Sequence, residues 1–432
     1  MRRLSATLAA SAALCAAGFG VIFAAGPATA FAAPTSRATA GAQLGLRRVL
    51  SRDIANAGRS SGAYVLDLST GRALYAAAAQ AGRLPASVEK LYTTSTALLR
   101  FGPQAELQTS VLGTGTVGPH GDWRGTLYLK GGGDPTFGSE SFDRSSYGTG
   151  ATIQRLVDNL VRVTQITSIQ GAIVGDESYL DSLRGTPDSG YRSSAYTEGL
   201  LSGLAYDRGF TDQQETVFQY RPALFAAQEL VAALRGAGVK VSPRAQVRSG
   251  VTPSRAKPLA AVASPPIATL IALTNTPSDN YLAEMLLKDV GARFGAGGST
   301  AGGAAVVRAQ LASSFGIRPR LVDGSGLSRL DATSPVQVVT TLKRMSGNRY
   351  FMHSLALGGE TGTLRYEMQG TPAQGRCSGK TGTLHDVASL AGYCRAGDGH
   401  TLAFAFLMNS VDPSYGHLLE AQMAVALAKY DG

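Results

Sequence analysis

Three short strings of reactive side chains lie far apart in this chain of 432 residues. The first, at 87–90, places the hydroxyl of Ser87 three positions before the amine of Lys90. The second, at 278–280, reads Ser-Asp-Asn, and the third, at 380–382, reads Lys-Thr-Gly. Together the strings supply the groups for acyl transfer through a covalent serine intermediate. These groups are a hydroxyl beside an amine, a second hydroxyl with a carboxamide, and a cation on a glycine-containing strand.

The first string is expected at the start of a helix. Apolar residues follow it at helical spacing until Gly102 and Pro103 end the pattern, which places Ser87 at the helix N-terminus. Residues three apart share one side of a helix, so the Lys90 amine can reach the Ser87 hydroxyl. Lys90 must be neutral to accept a proton, and burial together with a second cation, for which Lys380 is the candidate, would lower its pKa.

The second string is expected on a turn that leads into a helix. Asp279 is predicted to cap that helix, so the side chains of Ser278 and Asn280 can face one cleft. The Ser278 hydroxyl could relay a proton to a leaving amine, and the Asn280 amide could hold a substrate backbone. The alternative is a helix-capping loop without a catalytic role.

The third string is predicted to lie on an exposed strand edge. Lys380 and the hydroxyls of Thr381 and Thr383 can bind a carboxylate there. Gly382 allows the backbone to approach a substrate closely, and the N–H of Thr383 can donate to an oxyanion.

Partial copies show that each string alone is a weak signal. Ser254 and Lys257 repeat the first spacing, but a proline follows at once. Residues 346–348 imitate the second string. Residues 361–363 repeat Thr-Gly-Thr with Glu360 in place of the cation, so this copy is not expected to bind an anion. The interpretation therefore rests on all three strings in this order.

The strings belong to two ends of the chain that a β-rich insert separates. Periodicity predicts a helix over 43–57, strands over 387–393 and 400–408, and a last helix near 418–428. Strand-like runs predominate between the first and second strings, so the catalytic domain must be discontinuous. We predict a signal peptide at 1–33, the N-terminal part of the catalytic domain at 34–104, an inserted domain at 105–261, and the C-terminal part at 262–432.

Residues 1–33 have the features of an export signal, with two arginines, an apolar run and small residues at candidate cleavage sites. An uncleaved anchor is the alternative, because the apolar run is long for a signal. We expect cleavage and a secreted, cell-wall-associated protein. No other stretch reaches the roughly 18 apolar residues of a membrane span, so no span is expected after cleavage.

The formal net charge of +10 suits an anionic cell-wall surface or substrates that carry carboxylates, although ordinary solubility explains it equally well. No basic block interleaved with aromatic residues occurs, which argues against nucleic acid as a partner. The five histidines lack metal-ligand spacing, so neither a metal nor a cofactor is expected.

Cys377 and Cys394 would face one another if the strand through Lys380 turned back near His385 and Asp386. In an oxidising compartment they are disulfide candidates, and two buried free thiols are the alternative. A thiol assay on unfolded, unreduced protein separates the two.

At its three strings the chain resembles the low-molecular-mass class C penicillin-binding proteins, which are serine-type D-alanyl-D-alanine carboxypeptidases and endopeptidases. Residues 127–136 resemble that group's inserted segment, and residues 323–329 resemble its signature between the second and third strings. The insert looks shorter than is typical, so no substrate contact of the insert is carried over. The resemblance implies an α+β fold of the β-lactamase/transpeptidase type, in which helices flank an antiparallel sheet and a β-rich domain is inserted between the first two strings.

The resemblance also implies a function. Members of the group remove the terminal D-alanine from peptidoglycan stem peptides, sometimes cleave cross-links, and are acylated by β-lactams. The roles implied here are nucleophile for Ser87, base for Lys90, proton relay and substrate holder for Ser278 and Asn280, and carboxylate binding for Lys380, Thr381 and Thr383.

Two alternatives remain at this point. A β-lactamase shares the three strings but needs a separate carboxylate to activate water for rapid deacylation. Glu284 is the nearby acid after the second string, and its position suits packing or exposure to solvent better than water activation. The other alternative is a non-catalytic wall-binding or penicillin-sensing module, against which the intact strings argue.

Overall fold

The computed structural model describes residues 36–432, and the predicted signal at 1–33 lies outside that range. Within it, no helix combines the length and apolar character needed to cross a membrane.

The helices are α1 (Ser36–Asn56), α2 (Lys90–Phe101), α3 (Glu140–Ser146), α4 (Ile153–Thr164), α5 (Pro222–Gly236), α6 (Ile267–Asn275), α7 (Asn280–Phe294), α8 (Thr300–Gln310), α9 (Pro335–Met345), α10 (Arg349–His353) and α11 (Pro413–Lys429). The strands are β1 (Ser61–Asp67), β2 (Ala73–Ala77), β3 (Gln108–Val117), β4 (Asp122–Lys130), β5 (Ser168–Ile169), β6 (Ile173–Asp176), β7 (Lys240–Val241), β8 (Val247–Ser249), β9 (Lys257–Ala263), β10 (Ala356–Leu357), β11 (Cys377–Leu384), β12 (Val387–Arg395) and β13 (Thr401–Asn409).

A six-stranded antiparallel sheet joins the two ends of the chain. Its strand order is β10-β11-β12-β13-β1-β2. The N-terminal strand β1 lies between β2 and β13, and Gly62 faces Leu407 across the β1–β13 pair. The strands predicted over 387–393 and 400–408 are confirmed as β12 and β13, and the antiparallel sheet agrees with the predicted α+β class.

Helices cover both faces of this sheet, which explains why β12 and β13 are almost continuously apolar. On one face, α2, α6, α7, α8 and α9 bury residues such as Leu91, Ile271 and Leu342. On the other face, α1 and α11 bury Leu50 and Met423. The first string therefore begins the helix that packs on one face of the sheet.

A second, seven-stranded sheet is built from the chain between the first two strings. The order of five strands is β7-β5-β4-β3-β9. Strand β6 also pairs with β4, and β8 pairs with β6. Helices α4 and α5 pack against it, and Leu156 and Leu230 are fully buried in that contact. This confirms the strand-rich character of the region, and the domain boundaries stay a prediction.

The last helix begins about one turn earlier than predicted. It starts at Pro413 rather than near Leu418, because the Asp412 carboxylate accepts a hydrogen bond of 3.0 Å from the N–H of Tyr415. Pro413 occupies the first helical position, where a missing N–H is tolerated. The added turn brings His417 into the helix.

The two strands β11 and β12 form a hairpin that carries one cysteine on each side. Cys377 faces Cys394 with their Cα atoms 4.0 Å apart, and the structure joins the two side chains as a disulfide. The strand turns back at His385 and Asp386, where the sequence analysis expected the turn.

Candidate active site

Ser87 lies on a 3₁₀ turn, Ala86–Glu89, that leads directly into α2. The helix start predicted for Ser87 is thus present, with a tighter first turn. A Cβ on Gly326 would lie 1.9 Å from the carbonyl oxygen of Ala86, and one on Gly382 would lie 3.1 Å from the Ser87 nitrogen. Because neither glycine has a side chain, the turn can lie against the backbone on both sides.

The Lys90 amine lies at the centre of the site and is fully buried. Its Nζ is 2.7 Å from Ser87 Oγ, 2.6 Å from Asn280 Oδ1 and 2.9 Å from the carbonyl oxygen of Ser325. The amide oxygen and the carbonyl can only accept, so a neutral amine donates its two hydrogens to them. The lone pair then faces the Ser87 hydroxyl, which is the arrangement that proton removal requires.

Burial is the main influence on Lys90. It lowers the pKa of the Lys90 amine to about 8, although the nearby carboxylates, with Glu198 and Asp323 foremost, act in the opposite direction. The charge of Lys380 was predicted to contribute to the lowered pKa of Lys90. In the structure burial predominates, while burial and the charge of Lys90 lower the pKa of Lys380 well below its usual value.

The second string forms the turn before α7. Asp279 caps that helix as predicted, since its carboxylate accepts a 2.8 Å hydrogen bond from the N–H of Leu282. Ser278 has a positive φ of 71°, a conformation that non-glycine residues rarely adopt. Its partner Asn280 turns its amide oxygen to Lys90 and donates from Nδ2 to the Tyr196 carbonyl at 2.8 Å. The first two strings are therefore in direct contact.

The third string lies on β11 beside the turn that carries Ser87. The neighbouring strand β10 pairs only with Ser378 and Gly379, which leaves the edge without a strand partner from Lys380 onward. The prediction of an exposed edge is nevertheless wrong for Lys380, which is fully buried, and for Thr381, because the 3₁₀ turn covers this part of the strand. Lys380 Nζ donates to the Thr381 carbonyl at 2.9 Å.

The Thr-Gly-Thr copy at 361–363 lies beside the third string. The Thr381 hydroxyl donates to Thr363 Oγ1 at 2.8 Å, and the N–H of Thr363 donates to the Thr276 carbonyl at 3.2 Å. Gly362 has a φ of +53°, and a Cβ there would lie 2.1 Å from the same carbonyl. This segment thus links the third string to Thr276, two residues before the second string, and no pattern in the sequence indicated that link.

Glu284 organises the loop that delivers the Ser325 carbonyl to Lys90. Its Oε1 accepts hydrogen bonds from the N–H groups of Gly324 and Ser325 at 2.9 and 2.8 Å, and its side chain is fully buried. Asp323 accepts from the N–H groups of Gly326 and Ser328 in the same loop. Glu284 therefore has a positioning role, in line with the packing role expected from its sequence position.

Residues from the insert also reach the site. Glu198 Oε2 accepts a 3.0 Å hydrogen bond from the N–H of Asn280, and Arg208 forms a 2.9 Å ion pair with Asp279. The Arg208 guanidinium also lies 5.0 Å from the ring centre of Tyr281. No spacing pattern in the sequence marks these residues, because their proximity depends on how the insert folds back.

Comparison with known proteins identifies the class. The model of the D-Ala-D-Ala carboxypeptidase 3 (S13) family matches residues 48–197 and 207–430. The chain belongs to the D-Ala-D-Ala carboxypeptidase 3 (S13) family of serine-type peptidases.

Two named relatives and one solved structure are similar to this chain. The carboxypeptidase DacB of Mycolicibacterium smegmatis is 30% identical over 384 residues, which cover 84% of this chain and 79% of the relative. The D-alanyl-D-alanine carboxypeptidase of Actinomadura sp. (strain R39) is 27% identical over 452 residues, with 88% of this chain and 83% of the relative covered. The crystal structure of penicillin binding protein 4 (dacB) from Haemophilus influenzae has a TM-score of 0.71 at 20% identity and covers 87% of this chain and 97% of that one.

Proposed function

We propose that Ser87 is the nucleophile of this serine-type D-Ala-D-Ala carboxypeptidase and that its substrates are peptidoglycan stem peptides. The observation that carries the proposal is the position of Lys90, whose amine contacts both Ser87 and Asn280. A buried amine with a lowered pKa can hold a neutral lone pair against the hydroxyl.

The chemistry proceeds in two steps. Ser87 Oγ attacks the carbonyl carbon between the two D-alanines, and its proton passes to Lys90 Nζ. The peptide C–N bond then breaks, the leaving amine takes a proton through the Ser278 hydroxyl, and an ester on Ser87 remains. Water hydrolyses the ester, which returns the serine hydroxyl and releases the shortened peptide.

The backbone around Ser87 supports the charged intermediate. The N–H of Ser87 lies in the 3₁₀ turn that leads into α2, and backbone donors at such a helical start are unpaired. The N–H of Arg395 donates to the Arg376 carbonyl, and strict alternation along the β11–β12 pair then directs the N–H of Thr383 away from β12. We assign these two N–H groups as the oxyanion donors.

The third string binds the terminal carboxylate. We assign Lys380, Thr381 and Thr383 to this contact, for which the Thr381 hydroxyl must turn from Thr363 Oγ1 to the substrate. Gly382 keeps the strand close to the nucleophile. The buried ammonium of Lys380 costs free energy as an isolated charge, and a substrate carboxylate would offset that cost.

β-Lactams are expected to acylate the same serine and leave slowly. Their amide is part of a ring, so the leaving nitrogen stays attached to the acyl group and shields the ester. The β-lactamase alternative needs a carboxylate that can activate water, whereas Glu284 is occupied by the loop N–H groups. This arrangement favours a long-lived acyl-enzyme, and it leaves endopeptidase action on cross-links open.

The protein is expected to act outside the cytoplasm, where peptidoglycan lies. We propose that residues 1–33 direct export and are then removed. The Cys377–Cys394 pair suits an oxidising compartment, and the positive net charge suits an anionic wall.

Labelling by a fluorescent penicillin tests the assignment of the nucleophile. Ser87→Ala is expected to abolish covalent labelling with no change in the circular dichroism spectrum. Ser254→Ala is the matched control, since Ser254 begins an exposed partial copy of the first string and should label normally. Labelling of Ser87→Ala at the wild-type rate would show that another residue is the nucleophile.

Mass spectrometry of peptidoglycan fragments tests the substrate. Incubation of the wild-type protein with pentapeptide-bearing fragments should release D-alanine and yield tetrapeptides, and Ser87→Ala should release none. Intact pentapeptides after incubation with a penicillin-reactive enzyme would contradict the carboxypeptidase assignment.

A further inference from the structure

A chain of hydrogen bonds leads from the third string into α11. Thr383 Oγ1 lies 2.9 Å from His417 Nε2, and His417 Nδ1 lies 2.8 Å from Glu420 Oε2. Thr383 is exposed on the strand, His417 retains 24% of its side-chain exposure, and Glu420 is fully buried. The three groups thus connect a predicted carboxylate-binding hydroxyl to a buried acid.

Local packing fixes this arrangement. Asp412 and Pro413 begin α11, and Gly416 follows in its first turn. A Cβ on Gly416 would lie 2.3 Å from the Cβ of Ala388, so only a residue without a side chain lets the helix come this close to β12. The close approach brings the imidazole of His417 to the third string.

Two carboxyl groups face His417 in the described part of the chain. The His417 pKa is raised above its usual value mainly by the hydrogen bond between His417 and Glu420, which lies on the same helix. Glu367, on the segment before β11, adds to the effect. Burial in turn raises the pKa of Glu420 to about 7. Both shifts favour retention of one shared proton by the His417–Glu420 pair.

The shared proton determines which way the Thr383 hydrogen bond runs. If the proton is on His417, both ring nitrogens donate. If it is on Glu420, the acid donates to Nδ1 and the ring keeps its hydrogen on Nε2. In both cases Nε2 donates to Thr383, and the hydroxyl hydrogen is free to donate elsewhere.

Loss of that proton reverses the bond. Glu420 is then a carboxylate that accepts from Nδ1–H, so Nε2 carries only a lone pair. The Thr383 hydroxyl must donate to Nε2, and it can no longer donate to a substrate carboxylate.

We propose that His417, held by Glu420, is a positioning residue that directs the Thr383 hydroxyl toward the substrate carboxylate and makes binding of that carboxylate depend on pH. The inference rests on the function proposed for Thr383 in the third string.

The test compares a penicillin with its methyl ester, which lacks the carboxylate. At pH 6, His417→Ala is expected to slow acylation by the penicillin by about tenfold, the range of one hydrogen bond to a charged group, and to leave the ester rate unchanged. The ratio of wild-type to variant rates should fall to unity or below as the pH rises to 9, because the deprotonated imidazole then takes the Thr383 hydrogen that the variant leaves free. A ratio of rates removes the pH dependence that Lys90 gives to both proteins.

Two further variants separate positioning from folding. His417→Gln can donate without titrating, so it should restore much of the rate and lose the pH-dependent ratio. Thr383→Val should be at least as slow as His417→Ala, and the double variant should be no slower than Thr383→Val, because His417 acts only through the Thr383 hydroxyl. A thermal melt at each pH checks that the variants are folded.

The outcomes also separate this inference from the proposed function. Equal slowing of the penicillin and its ester, independent of pH, would overturn the role of His417 while Ser87 still labels. Absence of Ser87-dependent labelling by the wild-type protein would instead overturn the proposed function.

Discussion

At the scale of single residues, the surroundings of the fully buried Lys90 amine suit its proposed role as a base. Its two hydrogens have fixed acceptors in Asn280 and the Ser325 loop, so its lone pair has one direction left, toward Ser87. Burial then sets the proton affinity, since water cannot stabilise the charged form.

The rate of acylation should therefore rise with pH through about 8, because deprotonation of Lys90 produces the active base. Lys90→Arg stays charged at all these pH values and should acylate at least about 100-fold more slowly. The second-order rate constant for a fluorescent penicillin between pH 6 and 10 measures both effects. Lys257→Arg, in the exposed partial copy, is the control and should keep the wild-type profile.

Local spacing explains which site residues could be predicted. Ser87 and Lys90 are three apart at a helix start, and Asn280 follows a helix-capping aspartate, so local rules suffice to suggest their contacts. No local spacing links Glu198 or Thr363 to the residues that they contact. Their contacts with Asn280 and Thr381 depend on long-range folding, which a single sequence does not reveal.

At the scale of elements, the 3₁₀ turn Ala86–Glu89 is held between two glycines. Gly382 on β11 lies on one side, and Gly326, with a φ of +83°, lies on the other. Ser87, the proposed nucleophile, is thus positioned by backbone contacts from two distant segments.

Gly326→Ala should lower the free energy of unfolding by about 2 kcal/mol, since it adds left-handed backbone strain and a clash with the Ala86 carbonyl. It should also slow penicillin labelling, because relief of the clash moves Ser87. Urea unfolding and labelling rates measure the two effects. The control is Gly347→Ala, where a Cβ meets no neighbouring atom, and an equal loss in both variants would contradict the argument.

The Cys377–Cys394 bridge should add stability to the hairpin of β11 and β12. The two cysteines are 17 residues apart, so replacing both with alanine should lower the free energy of unfolding by about 3 kcal/mol. Urea unfolding with and without reductant provides the measurement. A wild-type protein whose stability does not change on reduction would show that the thiols are free in solution.

Elements were predictable where the pattern was strong and local. The apolar runs of β12 and β13 gave their position closely, because a strand buried on both faces has no polar alternation. The start of α11 was missed because the residues after Pro413 are polar or small. Its first turn depends on the Asp412 cap, which periodicity does not detect.

At the scale of the whole molecule, a group of buried acids lies beneath the site. Burial raises the pKa of Glu89 well above its usual value, that of Glu284 to about 7, and that of Asp331 to about 10. Within the described chain, both carboxyl oxygens of Glu89 lack a hydrogen-bond partner. Near neutral pH these acids therefore stay protonated in the folded state, whereas the same groups are ionised in the unfolded chain.

The folded protein should consequently lose stability as the pH rises from about 5 to 9. In this window the folded state binds more protons than the unfolded state, and each such group can lower the free energy of unfolding by up to about 1.4 kcal/mol per pH unit. Asp67 and Asp176 act in the opposite sense, but their lowered pKa values place that effect at more acidic pH. The lowered pKa values of Lys90 and Lys380 also act in the opposite sense, and they offset part of the loss toward the alkaline end of the window.

Thermal melts across this pH range measure the effect. Glu89→Gln removes one of the titrating groups, so its melting temperature should fall less steeply than that of the wild type. Glu360→Gln, at an exposed position, is the control and should keep the wild-type slope. A Glu89→Gln slope equal to that of the wild type would show that Glu89 does not titrate in this window.

The position of β1 between β2 and β13 has a consequence for biogenesis. Ser87 is synthesised well before β13, the strand that pairs with β1 in the sheet. A nascent polypeptide that has not yet reached β13 therefore carries the proposed nucleophile without the finished sheet. Catalysis, and with it acylation by antibiotics, requires that β13 has been made and has paired with β1.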